Sequence, residues 1–432
     1  MSNLTLPVIE TSSIKGYGSI EGIHQLDSIT TQNLIEDNSK LATNWETFLS
    51  ICCILMGTGV LQLPAALKEG GWAGFFYIFL TGLMSNYAGM LTVRCLYTKE
   101  GERLSTFSDM GFYLYGNLGK QTIQVFKVLS MLGAGSIFIL LASINLDQLF
   151  SDIFGWKPHF LFWIIVSSII ALIPMILFKE IHESPLITFF GTFTTIFVIV
   201  IASSISILVW MKPDFEYPPS SAFKLSGLPI SFSSICFAFG GNLLYPDIEK
   251  GMKTPQSFDK VLTYSSFVVT IFYAIMAFAG YLAFGDNVLS PVLLSFNPNF
   301  FVNAAYLLIT AHVLLTAPLL FISISGDMEK DMSSETEMKP FYRHILRATL
   351  LFLSVGAALA FPDFEKLIAL ISSVTISLLS YAIPVFFYMK MYDGRISFGF
   401  SDSLLQYSTI FVGLFCFFVG TYLSSIDLLF GK

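Results

Sequence analysis

Charge is scarce in this chain. Asp, Glu, Lys and Arg supply 12% of its 432 residues, about half the share of an ordinary soluble protein. That is too little to cover the surface of two or three water-soluble domains, the usual expectation at roughly 150 residues each. Basic residues form no tract and the net charge is −7, so no nucleic-acid partner is expected. Cysteine is equally sparse. Cys52, Cys53, Cys95, Cys236 and Cys416 lie in or at the ends of apolar runs, without zinc-type or redox spacing, and read as small packing residues. No cleavable leader is expected, because the first forty residues are polar. Catalytic signatures are missing as well. There is no Gly-x-Ser-x-Gly, and His182-Glu183 lacks the second histidine of a zinc-protease motif. With no nucleophile–base pair or carboxylate pair within the apolar runs, an enzyme is not expected. Nor do those runs show the continuous polar lining of a channel.

What is present is apolar surface. Hydrophobic residues make up 54% of the chain, with 44 Phe, and the mean hydropathy is +0.71. Many runs reach about 20 residues, enough to cross a bilayer, so lipid is the expected solvent. Residues 1–43 read as a disordered cytoplasmic tail, with an Asn3-Leu4-Thr5 sequon expected to be unused. From Asn44 the sequence predicts eleven spans: Trp45–Leu67, Trp72–Leu96, Thr122–Phe150, His159–Phe178, Ser184–Trp210, Gly227–Tyr245, Val261–Phe284, Phe300–Ser325, Ile345–Phe361, Leu367–Met389 and Leu404–Leu428. With the N-terminus inside, only Lys68, Lys157, Lys212, Lys224, Lys366 and Lys432 of the 23 basic residues fall outside. The other 17 fall inside, the bias that cytoplasmic loops carry. Shifting the register by one span inverts it.

Spans one and six are abnormal in the same way. The first holds Gly57-Thr58-Gly59 and then Pro64; the sixth holds Gly240-Gly241 and then Pro246. Glycine and proline weaken or break the helical ladder, and in lipid the freed backbone groups need protein, a cavity or a ligand. Breaks five spans apart predict a five-plus-five inverted repeat with its site at the midplane. The repeats fall at about 44–211 and 226–390, with an extra helix at about 404–428. Close helix packing is the plainer explanation of such small residues.

At these segments the sequence resembles the amino acid/auxin permease family, most nearly its vesicular inhibitory amino acid and vacuolar amino acid transporter branch. The resemblance rests on Asn44-Trp45-Glu46, Gly57-Thr58-Gly59-Val60-Leu61-Gln62-Leu63-Pro64, Gly70-Gly71-Trp72, Thr106-Phe107-Ser108-Asp109-Met110 and Tyr115-Gly116. It continues in Phe237-Ala238-Phe239, Gly240-Gly241, Pro246, Glu249, Met252 with Pro255, and Gly280-Tyr281-Leu282-Ala283-Phe284-Gly285. It implies an all-α, LeuT-like transporter of amino acids, small or neutral, with a proton or sodium ion as coupling ion and no other cofactor. Its partners are then the amino acid and membrane lipid, with no obligate protein partner. A vacuolar, lysosomal or vesicular membrane is implied, although Leu34-Ile35 lacks the acid of a dileucine address. An amino-acid sensor of the same fold is the competing class. Two departures bear on coupling, since relatives often carry histidine where this chain has Ser50 and Asn242.

A zwitterion in a low-dielectric site needs both charges satisfied, and broken helices supply the partners. The amides of Gly57, Thr58 and Gly59 are candidates for the carboxylate. Carbonyls around Phe237, Ala238 and Phe239 are candidates for the ammonium, the two phenylalanine rings walling the cavity. Gly240, Gly241, Asn242 and Ser136 are expected beside them. His312 is the one ionisable side chain in the middle of a span and the candidate proton relay. Thr316, on the same helical face, could instead form a cation site with Met56 and Gly57; a threonine that merely bonds to its own helix is the plain alternative. Asp247, Glu249, Lys250 and Lys253 are expected at a solvated entrance, a gating salt bridge being the sharper reading.

Overall fold

A computed structural model describes residues 41–177, 185–332, 339–392 and 400–430. The N-terminal tail with its sequon, and His182-Glu183, lie outside these residues. Among the described residues there is no strand, only two isolated bridges, Ala42 to Met252 and Tyr97 to Arg103.

Eleven spans are present if the bent first pair counts as one. Span one consists of Asn44–Leu55 (half 1a) and Thr58–Gly70 (half 1b), bent by 41°. A capping box at its start, Thr43 with Glu46, satisfies the first free amides. Spans two to five are Ala73–Arg94, Phe107–Phe154, Phe160–Leu177 and Pro185–Trp210. Span three begins with a short helical segment that Gly116 turns away at φ 65°, ψ −152°, a conformation glycine adopts without a Cβ penalty. Span six is Leu228–Ala238 (half 6a), a 3₁₀ turn at Gly241–Leu244, and Tyr245–Lys250 (half 6b). Pro229 and Pro246 sit in the first turns of the halves, where no amide bond is lost. Spans seven to nine are Phe258–Phe284, Phe300–Met332 and Pro340–Ala360. Span ten comprises Phe364–Ile371, a π-helical stretch at Ser372–Ala382, and Ile383–Met391. Span eleven runs through Phe400–Phe415, Cys416–Gly420 and Thr421–Phe430.

Burial separates an inner set from a lipid-facing set. The most apolar window of span six is 83% buried and those of spans eight and ten 72%, against 28% for span nine and 33% for spans four and eleven. The inner spans carry the hydroxyls and the breaks; the outer ones present Leu, Ile and Phe to lipid. Halves 1b and 6a are laced together by Gln62 Nε2 donating to the Ser234 carbonyl and Ser231 Oγ to that of Ala66, both at 2.7 Å. In span ten, Ser372 Oγ donates to the Ser233 carbonyl at 2.5 Å, and the Ser380 carbonyl accepts from Asn242 Nδ2 at 2.8 Å. The π-helical stretch thus runs along half 6a and the 3₁₀ turn after it, on either side of the break.

Candidate functional site

Both helix breaks open where the glycines stand. Half 1a stops at Leu55 and the chain resumes at Thr58; half 6a stops at Ala238 and resumes at Gly241. Neither second half has a side-chain cap at its start, so its first amides keep their donors free of side chains. A cavity of about 60 Å³ lies between the breaks. Six of the expected residues line it: Gly57, Thr58, Gly59, Phe237, Gly240 and Gly241. The Thr58 hydroxyl is buried and has no hydrogen-bond partner among the described residues. No Asp, Glu, Lys, Arg or His lines the cavity.

Other expected residues lie elsewhere. Ser136 donates to the Leu132 carbonyl of its own helix at 2.7 Å and is not in the wall. Phe239 faces the opposite way from Phe237. Its ring stacks edge-on against Tyr273 at 4.9 Å, and its carbonyl accepts from Ser85 Oγ at 2.9 Å. The Ala238 carbonyl accepts from the Tyr273 hydroxyl at 2.8 Å, and the Phe237 carbonyl from the Gly240 amide at 3.0 Å. Asn242 is held by Ser380, and Met56 is buried outside the lining. Gly59 also differs from expectation. A Cβ there would lie 2.5 Å from Ala238 Cα and 2.8 Å from its Cβ. This glycine lets two helix breaks meet, the plainer reading of a small residue. Gly57 is the open one, with nothing within 3.5 Å of its Cβ position.

The rest of the wall was missed, yet part of it had a signal. Ser130, Ala134 and Phe138 line the cavity at steps of four along span three, one helical face. Leu320 follows Thr316 at the same step. Ile376 comes from the π-helical stretch, which has no counterpart in hydrophobic periodicity.

His312 is fully buried beside the cavity rather than in its wall. Its Nδ1 lies 2.6 Å from a Cβ position on Gly191 of span five, as does Cys53 Sγ; its Nε2 lies 4.0 Å from that of Gly57. The ring therefore bridges span five and the break of span one. The Gly191 backbone interacts with the ring, and neither ring nitrogen makes a hydrogen bond of ordinary geometry. Thr316 donates to the His312 carbonyl at 2.9 Å, the plain role for a threonine in a membrane helix. Its oxygen lone pairs remain available.

One turn from the cavity, on the side of the N-terminus, three spans converge. Lys127 lies three residues before Ser130, Asp247 three after Leu244, and Ser323 three after Leu320. Lys127 pairs with Asp327 at 2.5 Å and is 4% exposed. Ser323 Oγ donates to Asp247 at 2.8 Å, and Asp247 lies within electrostatic reach of Lys127. Farther out, Glu249 is buried, not solvated. Arg103 grips it at 2.5 Å and also donates to the Pro246 carbonyl at 3.0 Å. Tyr97 is the second donor to Glu249. Burial and that hydrogen bond push the Tyr97 phenol up to about 12, so it stays a donor. The start of span one is tied in as well, through Ala42 with Gly251 and Lys253 and through Thr254 with Asn44. Of the four charges expected at a solvated entrance, Glu249 is buried in an ion pair and Asp247 is half-buried and bonded to Ser323.

Fold and site together define a multi-span membrane protein with two broken helices around one cavity. A manganese transporter of Eremococcus coleocola superposes over 89% of this chain and 87% of its own, with a TM-score of 0.59 and 10% identity. A substrate-bound, outward-open Na+-coupled sialic acid symporter matches over 87% and 89%, with a TM-score of 0.56 and 12% identity. At such identities the likeness concerns the fold alone, a LeuT-like five-plus-five arrangement with an eleventh helix.

The family follows from the sequence. The family described as transmembrane amino acid transporter protein matches residues 40–426, and the chain belongs to it, the amino acid/auxin permease family. Among curated relatives, the amino acid transporter AVT1E of Arabidopsis thaliana is 25% identical over 403 residues, covering 90% of this chain and 74% of its own. AVT1I of the same plant is 23% identical over 410 residues, covering 92% and 98%. The protein is an integral membrane amino acid transporter and not an enzyme.

Proposed function

We propose that the cavity binds a small neutral amino acid and that the protein carries it by alternating access, driven by a proton moving through His312. The observation that carries this reading is the lining: two helix breaks, a partnerless Thr58 hydroxyl and no charged side chain. The uncapped amides at the start of half 1b suit the carboxylate, favoured further by the positive end of the helix dipole. Carbonyls at the ends of 1a and 6a suit the ammonium. A charged substrate side chain would find no counterion here, and its burial would cost several kcal/mol. The volume of about 60 Å³ corresponds to only a few water molecules at 10–15 Å³ each, which favours small substrates.

His312 supports the coupling because it packs on span five and lies beside the first break, both in the same repeat (residues 44–211). Movement of that repeat against the second (residues 226–390) changes the surroundings of the ring, and with them its affinity for a proton. The Lys127–Asp327 and Arg103–Glu249 pairs then form the cytoplasmic barrier, on the side that the basic residues assign to the cytoplasm. A vacuolar or lysosomal membrane is the proposed residence, supported by the resemblance of the break motifs to the vacuolar branch.

The test is counterflow of labelled neutral amino acids in liposomes holding the purified protein, at two pH values with and without sodium. Saturable exchange is expected, with net uptake accelerated by a proton gradient. His312→Ala should flatten the pH profile of uptake and retain counterflow, which needs no net driving force. Binding without exchange would make the protein a sensor. Acceleration by sodium at constant pH, with an unchanged pH profile in the mutant, would transfer the coupling to Thr316.

A further inference from the structure

Span seven touches both breaks through one atom. Tyr273, fully buried on Phe258–Phe284, brings its hydroxyl to the Ala238 carbonyl at 2.8 Å and into hydrogen-bond contact with the Leu55 carbonyl. These are the last residues of halves 6a and 1a. In unbroken helices their carbonyls would accept from the amides of Asn242 and Gly59, four residues on. One phenol oxygen, with a single proton to give, thus joins the two helix ends, where the Leu55 carbonyl also accepts from the Gly57 amide at 2.8 Å. Leu55 lines the cavity, and Ala238 is flanked by the lining residue Phe237. Tyr273 is not in the wall, so whatever it does to a ligand it does through those carbonyls.

We propose that Tyr273 is a positioning residue, which ties the ends of halves 1a and 6a together and so sets how the two breaks close around the substrate ammonium. Without the hydroxyl, the tie between the two helix ends is gone: the Ala238 carbonyl loses the Tyr273 donor, and the Leu55 carbonyl keeps only the Gly57 amide. The two breaks are then free to shift relative to each other. The edge-on contact of the ring with Phe239 and its burial do not require the hydroxyl. The Phe variant therefore isolates the tie from the packing.

The inference rests on the amino-acid reading of the cavity, and the experiment separates the two. Tyr273→Phe and wild-type protein are compared in liposomes with the neutral amino acid that wild type exchanges fastest. The expected result is a KM for exchange raised about fivefold, the worth of one hydrogen bond of about 1 kcal/mol, with the maximal rate within about twofold of wild type. The preference for that amino acid over its N-methyl derivative, which has fewer N–H donors, should narrow as well. An unchanged KM and preference overturn the proposal while leaving the cavity assignment standing. So does a loss of rate that merely tracks a lowered melting temperature. Absence of any wild-type exchange or binding overturns both. If the Phe variant does not fold, 3-fluorotyrosine in place of Tyr273 keeps the shape and gives a stronger donor. Its KM should then fall below that of wild type, and a raised KM overturns the proposal.

Discussion

Alanine placed separately at Gly57 and Gly59 tests how the first break is built, because two glycines a single residue apart face different things. At Gly59 the new methyl would sit 2.5 Å from Ala238 Cα, where ordinary contacts begin near 3.4 Å. The obstacle is backbone, so no side chain can swing away. Half 1b and half 6a would have to separate by most of an ångström, against the hydrogen bonds of Gln62 and Ser231 that lace them together. Overpacking of this kind costs about 1–3 kcal/mol, a large part of a stability of about 5–15 kcal/mol. Gly59→Ala should lower the thermal midpoint by several degrees and cut transport. At Gly57 the nearest atom to the new methyl is Phe138 Cζ at 3.5 Å, an ordinary van der Waals contact. Gly57→Ala should melt closer to wild type than Gly59→Ala does, because its methyl clashes with no backbone. Its methyl projects into a cavity of about 60 Å³, so the KM for a neutral amino acid should rise about tenfold or more, the range for one misplaced methyl in a tight pocket. Thermal unfolding in detergent, followed by tryptophan fluorescence, and counterflow in liposomes measure the two effects on the same preparations. Normal melting of Gly59→Ala would refute the contact between the breaks. Normal transport by Gly57→Ala would refute the cavity as the substrate site.

The barrier makes a separate forecast. Glu249→Gln leaves the half-buried Arg103 guanidinium without its carboxylate, a loss below the roughly 3–5 kcal/mol of a fully buried pair because Arg103 keeps contact with solvent. It should open the N-terminal side, so that a cysteine introduced at Ser130 becomes reactive to a membrane-impermeant thiol reagent from that side; unchanged labelling would remove the pair from the barrier. Topology is checked by epitope tags at Met1 and Lys432. They should differ in accessibility before permeabilisation, with Met1 cytoplasmic, and both tags on one face would contradict the odd span count.

Much of the fold was legible in the sequence because lipid imposes one strict rule: backbone polar groups must be paired within the chain. Apolar runs of spanning length therefore had to be helices, and the eleven expected spans are those present. The same rule made glycine with proline in spans one and six readable as breaks, since nothing else in those runs ends a helix. The absence of charge from the middle of the spans carried over directly to a cavity without a charged lining. What remained hidden was direction. A span that is apolar on every side carries no facial signal, so sequence alone could not tell that Phe237 walls the cavity while Phe239 packs against Tyr273. Nor could it choose Ser130 over Ser136. Pairings between distant segments were hidden for the same reason. Glu249 looked solvated until the loop after span two brought Arg103 and Tyr97 onto it. Gly59 looked like a ligand contact until Ala238 filled the space in front of it. The sequence determined where the helices run and where they break; only tertiary packing decided which side of each break meets the cavity, because that depends on the neighbour a side chain meets and not on its own chemistry.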